Sequence, residues 1–266
     1  YVKFAGYYWR IIRINSNGSI RMIYDGTSAH KNGEASEDRQ YGTSQFNPNY
    51  NNNMYVGYMY TSGESHGTGT SSTIKTNVDT FYTDKLASYA SKLDTNAGFC
   101  SDRSNLNLQS GVGTGTVITY NKGYLRVEES TPTLTCENAS DYYTVSSASS
   151  GNKKISYPIG LIAVDEVMLA GHAGGVFDGF YNLTKSNNGS YLVTGNSFWT
   201  MTPAGGYFPF GFTYWTADVF YVYGSGCIDD LNTGNPNGLR PVVNLKSGVP
   251  VTGSGTKTDP YVVSSD

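Results

Sequence analysis

The residues able to do chemistry in this chain are few and scattered. Three histidines, His30, His66 and His172, are the natural candidates for proton transfer or metal ligation. Each stands alone in a Gly- or Ser-rich context, and none falls into an HxH or HExxH spacing. Asp165-Glu166 is a carboxylate pair at a predicted helix start. Adjacent helical residues do not face each other, so the pair suits the positive end of the helix dipole better than shared acid–base work. Asp229-Asp230 and Asn232 offer oxygen ligands of the kind calcium takes, but without the spaced DxDxDG pattern. Cys100, Cys136 and Cys227 form no CxxC pair, so no zinc ribbon is expected. Cys100 and Cys136 could bond in an oxidising compartment, leaving Cys227 single; three buried thiols fit the sequence equally well. There is no GxSxG, and neither Gly67-Thr68-Gly69 nor Gly113-Thr114-Gly115 opens onto a helix that would cradle phosphate. The expectation is no catalytic residue, no metal and no cofactor.

What stands out instead is an aromatic run, Ala204-Gly205-Gly206-Tyr207-Phe208-Pro209-Phe210-Gly211-Phe212-Thr213-Tyr214-Trp215. Aromatics recur at almost every second residue, while glycine and proline interrupt any smooth strand. Leu, Ile and Val, the usual core formers, are absent from it. Aromatic residues beside small ones make pockets and anchor interfaces. Further on, Val219, Tyr221 and Tyr223 share one strand face and Phe220 and Val222 the other. One face is expected in the core and the other exposed, with an aromatic core sandwich as the alternative.

The elements that must hold this segment are mostly strands. Phe4 to Ile14 and Ser19 to Tyr24 read as strands around an Asn17-Gly18 hairpin turn, and Asp25-Gly26 ends the second. Residues 26–73 look like long loops with short strands such as Met54 to Tyr60. Asn77 to Leu93 is the best helix, because Val78, Tyr82, Leu86, Tyr89 and Leu93 form one apolar stripe above an Asn77 cap. Residues 100–155 are loop-rich, with Thr116 to Tyr120 extended. Tyr157 to Ile162 enters a buried strand, followed by a short helix that stops at Gly171. Ser197 to Thr202, Val219 to Tyr223, Val242 to Leu245 and Pro260 to Val263 read as strands. Both chain ends are therefore strands able to pair and close the domain. No linker and no fixed-period repeat appears, so 1–266 reads as one domain.

Composition narrows the partners. The chain has 266 residues, a net charge of -3 and 15% charged residues, too little positive charge to attract nucleic acid or an anionic membrane. No apolar run is long enough to cross a bilayer, so no direct membrane insertion is expected. Tyr 23 and Gly 32 are both high. Tyrosine with Gly, Ser and Asn is the chemistry of paratopes, although a turn-rich β protein has the same composition. A chain opening on Tyr1 reads as a mature product of something longer, with any signal peptide or anchor in the missing part.

Several stretches together resemble a known family. They are Tyr8-Trp9-Arg10-Ile11-Ile12-Arg13-Ile14-Asn15 and Ala97-Gly98-Phe99-Cys100-Ser101-Asp102-Arg103, then Tyr157-Pro158-Ile159-Gly160-Leu161-Ile162 with Asp165-Glu166, and Leu169-Ala170-Gly171. The most specific are Phe198-Trp199-Thr200-Met201-Thr202-Pro203 and Gly238-Leu239-Arg240-Pro241-Val242-Val243-Asn244-Leu245. The chain resembles, over nearly its whole length, the variable proteins of bacterial diversity-generating retroelements. The resemblance implies an α+β C-type lectin-like fold, akin to the formylglycine-generating enzyme fold. In that family the fold is a scaffold, and a C-terminal variable region, diversified through adenines of a template copy, makes the ligand contacts.

The stretch from Ala204 to Asn237 is written largely in residues that mutated Asn codons can reach, so 204–237 is the predicted variable region. Trp215 is not such a product and counts against it there. Trp199, Arg240 and Pro241 fall to the framework. The predicted ligand-binding residues are Tyr207, Phe208, Phe210, Phe212, Tyr214, Asp218, Tyr221, Tyr223, Asp229, Asp230 and Asn232. A stray Cys227 fits random substitution, which leaves Cys100 and Cys136 as the natural disulfide. The family usually has Thr before the Asp-Glu pair, whereas this chain has Ala163 and Val164, a lost cap worth about 1 kcal/mol.

The resemblance implies a non-enzymatic, hypervariable binding protein for an unknown protein or glycan ligand. Its setting would be outside a bacterial cell, held through an N-terminal anchor, or on a phage particle. Two rivals follow. A formylglycine-generating-like oxidase would need paired cysteines in one pocket, and Cys227 has no nearby partner in sequence. A pilin or surface-layer adhesin subunit would self-assemble and keep 204–237 constant.

Overall fold

Strand pairing begins at the first residues. In the computed structural model, which describes residues 1–106, 119–146, 149–172, 189–207 and 216–264, Val2–Phe4 turns through Ala5 and Gly6 into Tyr7–Ile14. Both turn residues have left-handed φ, 52° and 82°, the tight turn whose twist matches a hairpin. Tyr7–Ile14 then pairs with Ile20–Gly26 across the Asn17-Gly18 turn, where Gly18 has φ 79°. Four more strand pairings complete a seven-stranded sheet in the order Ile159–Gly160, Val242–Leu245, Ile20–Gly26, Tyr7–Ile14, Val2–Phe4, Tyr261–Val263, Val251–Thr252. The two chain ends do pair, and they pair in parallel, Val2 beside Tyr261 and Lys3 beside Val262.

The second sheet runs Ile228–Asn232, Thr216–Val222, Phe198–Tyr207, Pro236–Gly238, Thr43–Gln45, with Thr119–Tyr120 joined to the far half of Phe198–Tyr207. The architecture is therefore α+β, with antiparallel-rich sheets and, among the described residues, three α-helices. Helix α1 (Thr73–Phe81) lays Ile74, Val78 and Phe81 into the core, where the Phe81 ring meets Trp9, Tyr24 and Tyr41 edge-on. Such tilted pairs let each ring edge face a neighbour's π cloud.

Four expectations about elements change. Helix α1 starts before Asn77: Ser72 is the cap, its hydroxyl accepting from the Lys75 N–H at 3.3 Å, while Asn77 donates its amide to Ser44. Beyond Phe81 the helix continues as a wider π turn, Tyr82–Leu86, and then a 3-10 segment, Ala87–Lys92. Tyr82, Leu86 and Leu93 of the predicted stripe are buried. Asn53–Val56 is a 3-10 turn, and only Met59–Tyr60 of the expected strand is extended. The loop-rich 100–155 stretch contains helix α2 (Lys122–Glu129).

Helix α3 (Val164–Leu169) lacks a capping side chain at Ala163, as the sequence suggests. The loss is made good from outside the helix. The Thr202 hydroxyl accepts from the Val164 N–H at 2.9 Å, and Glu166 reaches back to the Ala163 N–H at 3.0 Å. Two of the orphan donors at the helix start are thereby satisfied.

Candidate functional site

The predicted variable segment is bounded by two residues sunk in the core. Trp199 is fully buried and donates its indole N–H to the Ser44 carbonyl at 2.8 Å. Arg240 is fully buried too. It donates to the Tyr24 carbonyl and to Asp25 Oδ1, both at 3.0 Å, and its guanidinium lies over the Phe198 ring. Asp25 also receives Arg39, through Nε at 2.9 Å and Nη2 at 2.8 Å. A buried charge survives only when paired and hydrogen-bonded, and this knot fixes the chain just beyond the segment.

Inside these borders the freedom of the chain is uneven. Gly205 and Gly206 sit where a Cβ would be 2.3 Å from the Thr119 carbonyl oxygen and 2.3 Å from the Asn53 Cβ. No side chain fits at either position without backbone movement. Tyr207 closes its strand opposite Thr216. The Tyr207 side chain and residues Phe208, Phe210, Phe212, Tyr214 and Trp215 lie outside the described residues, as does Gly113-Thr114-Gly115.

Thr216–Val222 is buried at every position, so the expectation of one core face and one exposed face does not hold for this strand. The strand is interior, between Phe198–Tyr207 and Ile228–Asn232, and it is covered on both sides. Tyr221 packs its ring 6.4 Å from Trp199 and 5.2 Å from Tyr223. Burial pushes the Tyr221 hydroxyl well above its ordinary pKa, and that hydroxyl donates to Asp229 Oδ2 at 3.5 Å.

Asp218 is the unusual group. It is 3% exposed, and burial together with the nearby Asp230 and Asp229 carboxylates pushes its pKa up to about 8, against one hydrogen bond from the Thr216 hydroxyl at 2.9 Å. It is a neutral carboxylic acid at pH 7, able to donate a hydrogen bond. Strand register places Asp218 and Phe220 on one face with Asn232 and Asp230, and Tyr221 on the other with Asp229. Burial raises Asp229 as well.

The partly exposed members of the predicted set are Tyr223, Asp229, Asp230 and Asn232. The last three lie on Ile228–Asn232, which is the edge of its sheet. Asp229 Oδ1 accepts from the Asp230 N–H at 2.9 Å, and Asn232 Oδ1 from the Gly234 N–H. A carboxylate spent on its neighbour's backbone blunts an open edge against stray strand pairing.

The histidines are held in structural hydrogen bonds. His30 lies between Asp38, at 2.8 Å, and Glu34, at 3.1 Å. His66 contacts Asp141 at 2.8 Å. His172 is buried between the Gly226 carbonyl and the Ser190 hydroxyl, both at 2.6 Å, and burial lowers its pKa. No group of three His, Cys, Asp or Glu suited to a metal ion occurs among the described residues, Asp229-Asp230 included. Cys100 and Cys136 form a disulfide, and Cys227 is a buried thiol.

Residue types alone did not point to the charged framework around α3. Glu166 is gripped by Arg21 at 2.5 Å and Arg13 at 2.9 Å, and Asp165 by Arg126 at 2.7 Å, whose other end reaches Asp102 at 2.9 Å. The Asp165-Glu166 pair thus serves as the anchor for three arginines from distant parts of the chain. Its position at a helix start was the one available signal. No family model, curated protein or solved structure matches this chain.

Proposed function

We propose that the chain is a non-enzymatic binding protein of C-type lectin-like fold, a variable protein of a bacterial diversity-generating retroelement, whose 204–237 segment recognises ligand. The observation that carries this reading is the contrast along that segment. Its flanks, Trp199 and Arg240, are locked into the core by buried hydrogen bonds, while the segment between them reaches a sheet edge with Tyr223, Asp229, Asp230 and Asn232 partly exposed. A rigid scaffold carrying a chemically mixed edge suits recognition, because aromatic area supplies affinity and carboxylates supply discrimination. The ligand is a protein or a glycan, and the setting is extracellular, on a bacterial surface or a phage particle.

Population sequencing of the locus tests the reading. Substitutions should concentrate within 204–237, beside a near-identical template repeat and a reverse transcriptase gene. Because Thr216–Val222 is buried and Gly205 and Gly206 are sterically closed, variation should be densest outside those positions. Substitutions spread evenly along the chain, with no template repeat, would overturn it.

A further inference from the structure

A cleft of about 740 Å³ lies wholly outside the 204–237 segment. That volume is in the range of small-ligand sites. Its floor is a closed set of charges. The carboxylates of Asp102, Asp165 and Glu166 meet the guanidinium groups of Arg13, Arg21 and Arg126, and the Thr133 N–H adds a further bond to Asp165 at 3.0 Å. With three negative charges matched by three positive, the floor selects neither an anion nor a cation.

Glu137, also in the wall, is paired with Lys122, and the other chemistry left for a ligand above that floor is neutral. Among the described residues, the Ser16, Thr135 and Ser150 hydroxyls and the Asn96 amide have no hydrogen-bond partner, and all four residues are exposed in the wall. Between them stand the half-buried Tyr142 ring and two outward aliphatic side chains, Ile14 (70% exposed) and Leu134 (52% exposed). Hydroxyls and amides spaced around one ring and aliphatic edges match a molecule with polar rims and apolar faces.

The walls are fixed before any ligand arrives. The Cys100–Cys136 bond ties the 131–138 loop to the Phe99–Cys100 strand, and Lys122 holds Glu137 in the same loop. A site already ordered loses less freedom on binding.

We infer that this cleft is a second, constant binding site that takes a neutral carbohydrate. The inference goes beyond the proposed function and stands or falls separately from it, since no lining residue belongs to the segment. Saturation-transfer NMR and calorimetric titration of the whole chain, with maltotriose, cellotriose and N,N′-diacetylchitobiose as probes, test it. At least one should bind. Asn96→Ala should weaken that binding about tenfold, and Ser150→Trp, which fills the cleft from an exposed position, should abolish it, both with an unchanged melting temperature. Three outcomes overturn the inference: no transfer to any of the three sugars, binding indifferent to both variants, or tighter binding of glucose 6-phosphate or triglycine than of the sugars. Variation across 204–237 in sister sequences should leave the sugar affinity unmoved.

Discussion

Glu166 and Asp218 are both buried carboxyls, and their surroundings drive them in opposite directions. Burial disfavours the charge on each. At Glu166 the guanidinium groups of Arg21 and Arg13 outweigh burial and hold the carboxyl below its ordinary range. At Asp218 no cation among the described residues offsets burial, and two further carboxylates worsen it. The framework therefore settles its charges internally, whereas the segment buries a carboxyl that keeps its proton.

The largest expected effect comes from unsettling the framework. Arg21→Met leaves Glu166 buried with only the outer Arg13, and the cost should be about 3–5 kcal/mol in denaturant unfolding. Glu166 stabilises the fold above the ordinary carboxylate range and loses that contribution as pH falls, so the deficit should shrink in acid. An unchanged unfolding midpoint would show that the pair contributes nothing.

The reverse test settles the segment. Asp218 keeps its proton when folded and loses it when unfolded, so its penalty grows as pH rises from the ordinary carboxylate range to about 8 and then levels off. Asp218→Asn should match the parent protein in acid and be more stable by about 3 kcal/mol above that pH, several kcal/mol being usual for an uncompensated buried ion. A gap that is constant with pH would mean that folding does not shift the carboxyl's pKa.

The smallest effect lies where the two regions touch. Thr202 precedes the segment, yet its hydroxyl caps α3. Thr202→Val should cost about 1 kcal/mol, seen as a small fall in melting temperature. A null result there would remove the link between strand and helix.

Much of the fold was legible in the chain. The Asn17-Gly18 hairpin, the apolar stripe from Val78 to Leu93 and the pairing of the two ends follow from local turn chemistry and periodicity. Helix α2 was not legible, because half of Lys122–Glu129 is charged and it contains a glycine early in the helix. Gly123 is there for space: a Cβ would lie 2.7 Å from Thr202 Cγ2. Arg21, Arg126 and Asp102 read as surface residues from their type, since charges are rarely buried unless paired. Their partners lie 145, 39 and 24 positions away along the chain. Within the candidate site, the buried flanks were anticipated by the Trp199 and Arg240 motifs. The depth of Asp218 and Tyr221 was not, because strand alternation says which residues share a face but not whether both faces are covered.

The parallel pairing of Val2–Phe4 with Tyr261–Val263 has a mechanical consequence. The Tyr1 amino group donates to the Gly255 carbonyl at 2.7 Å, and the Tyr261 N–H to the Tyr1 carbonyl at 2.9 Å. Since the two strands run the same way, tension applied between Tyr1 and Val263 pulls them lengthwise past each other. The bonds between them are then loaded together in shear rather than peeled one at a time, so the seam that joins the ends is oriented to resist stretching.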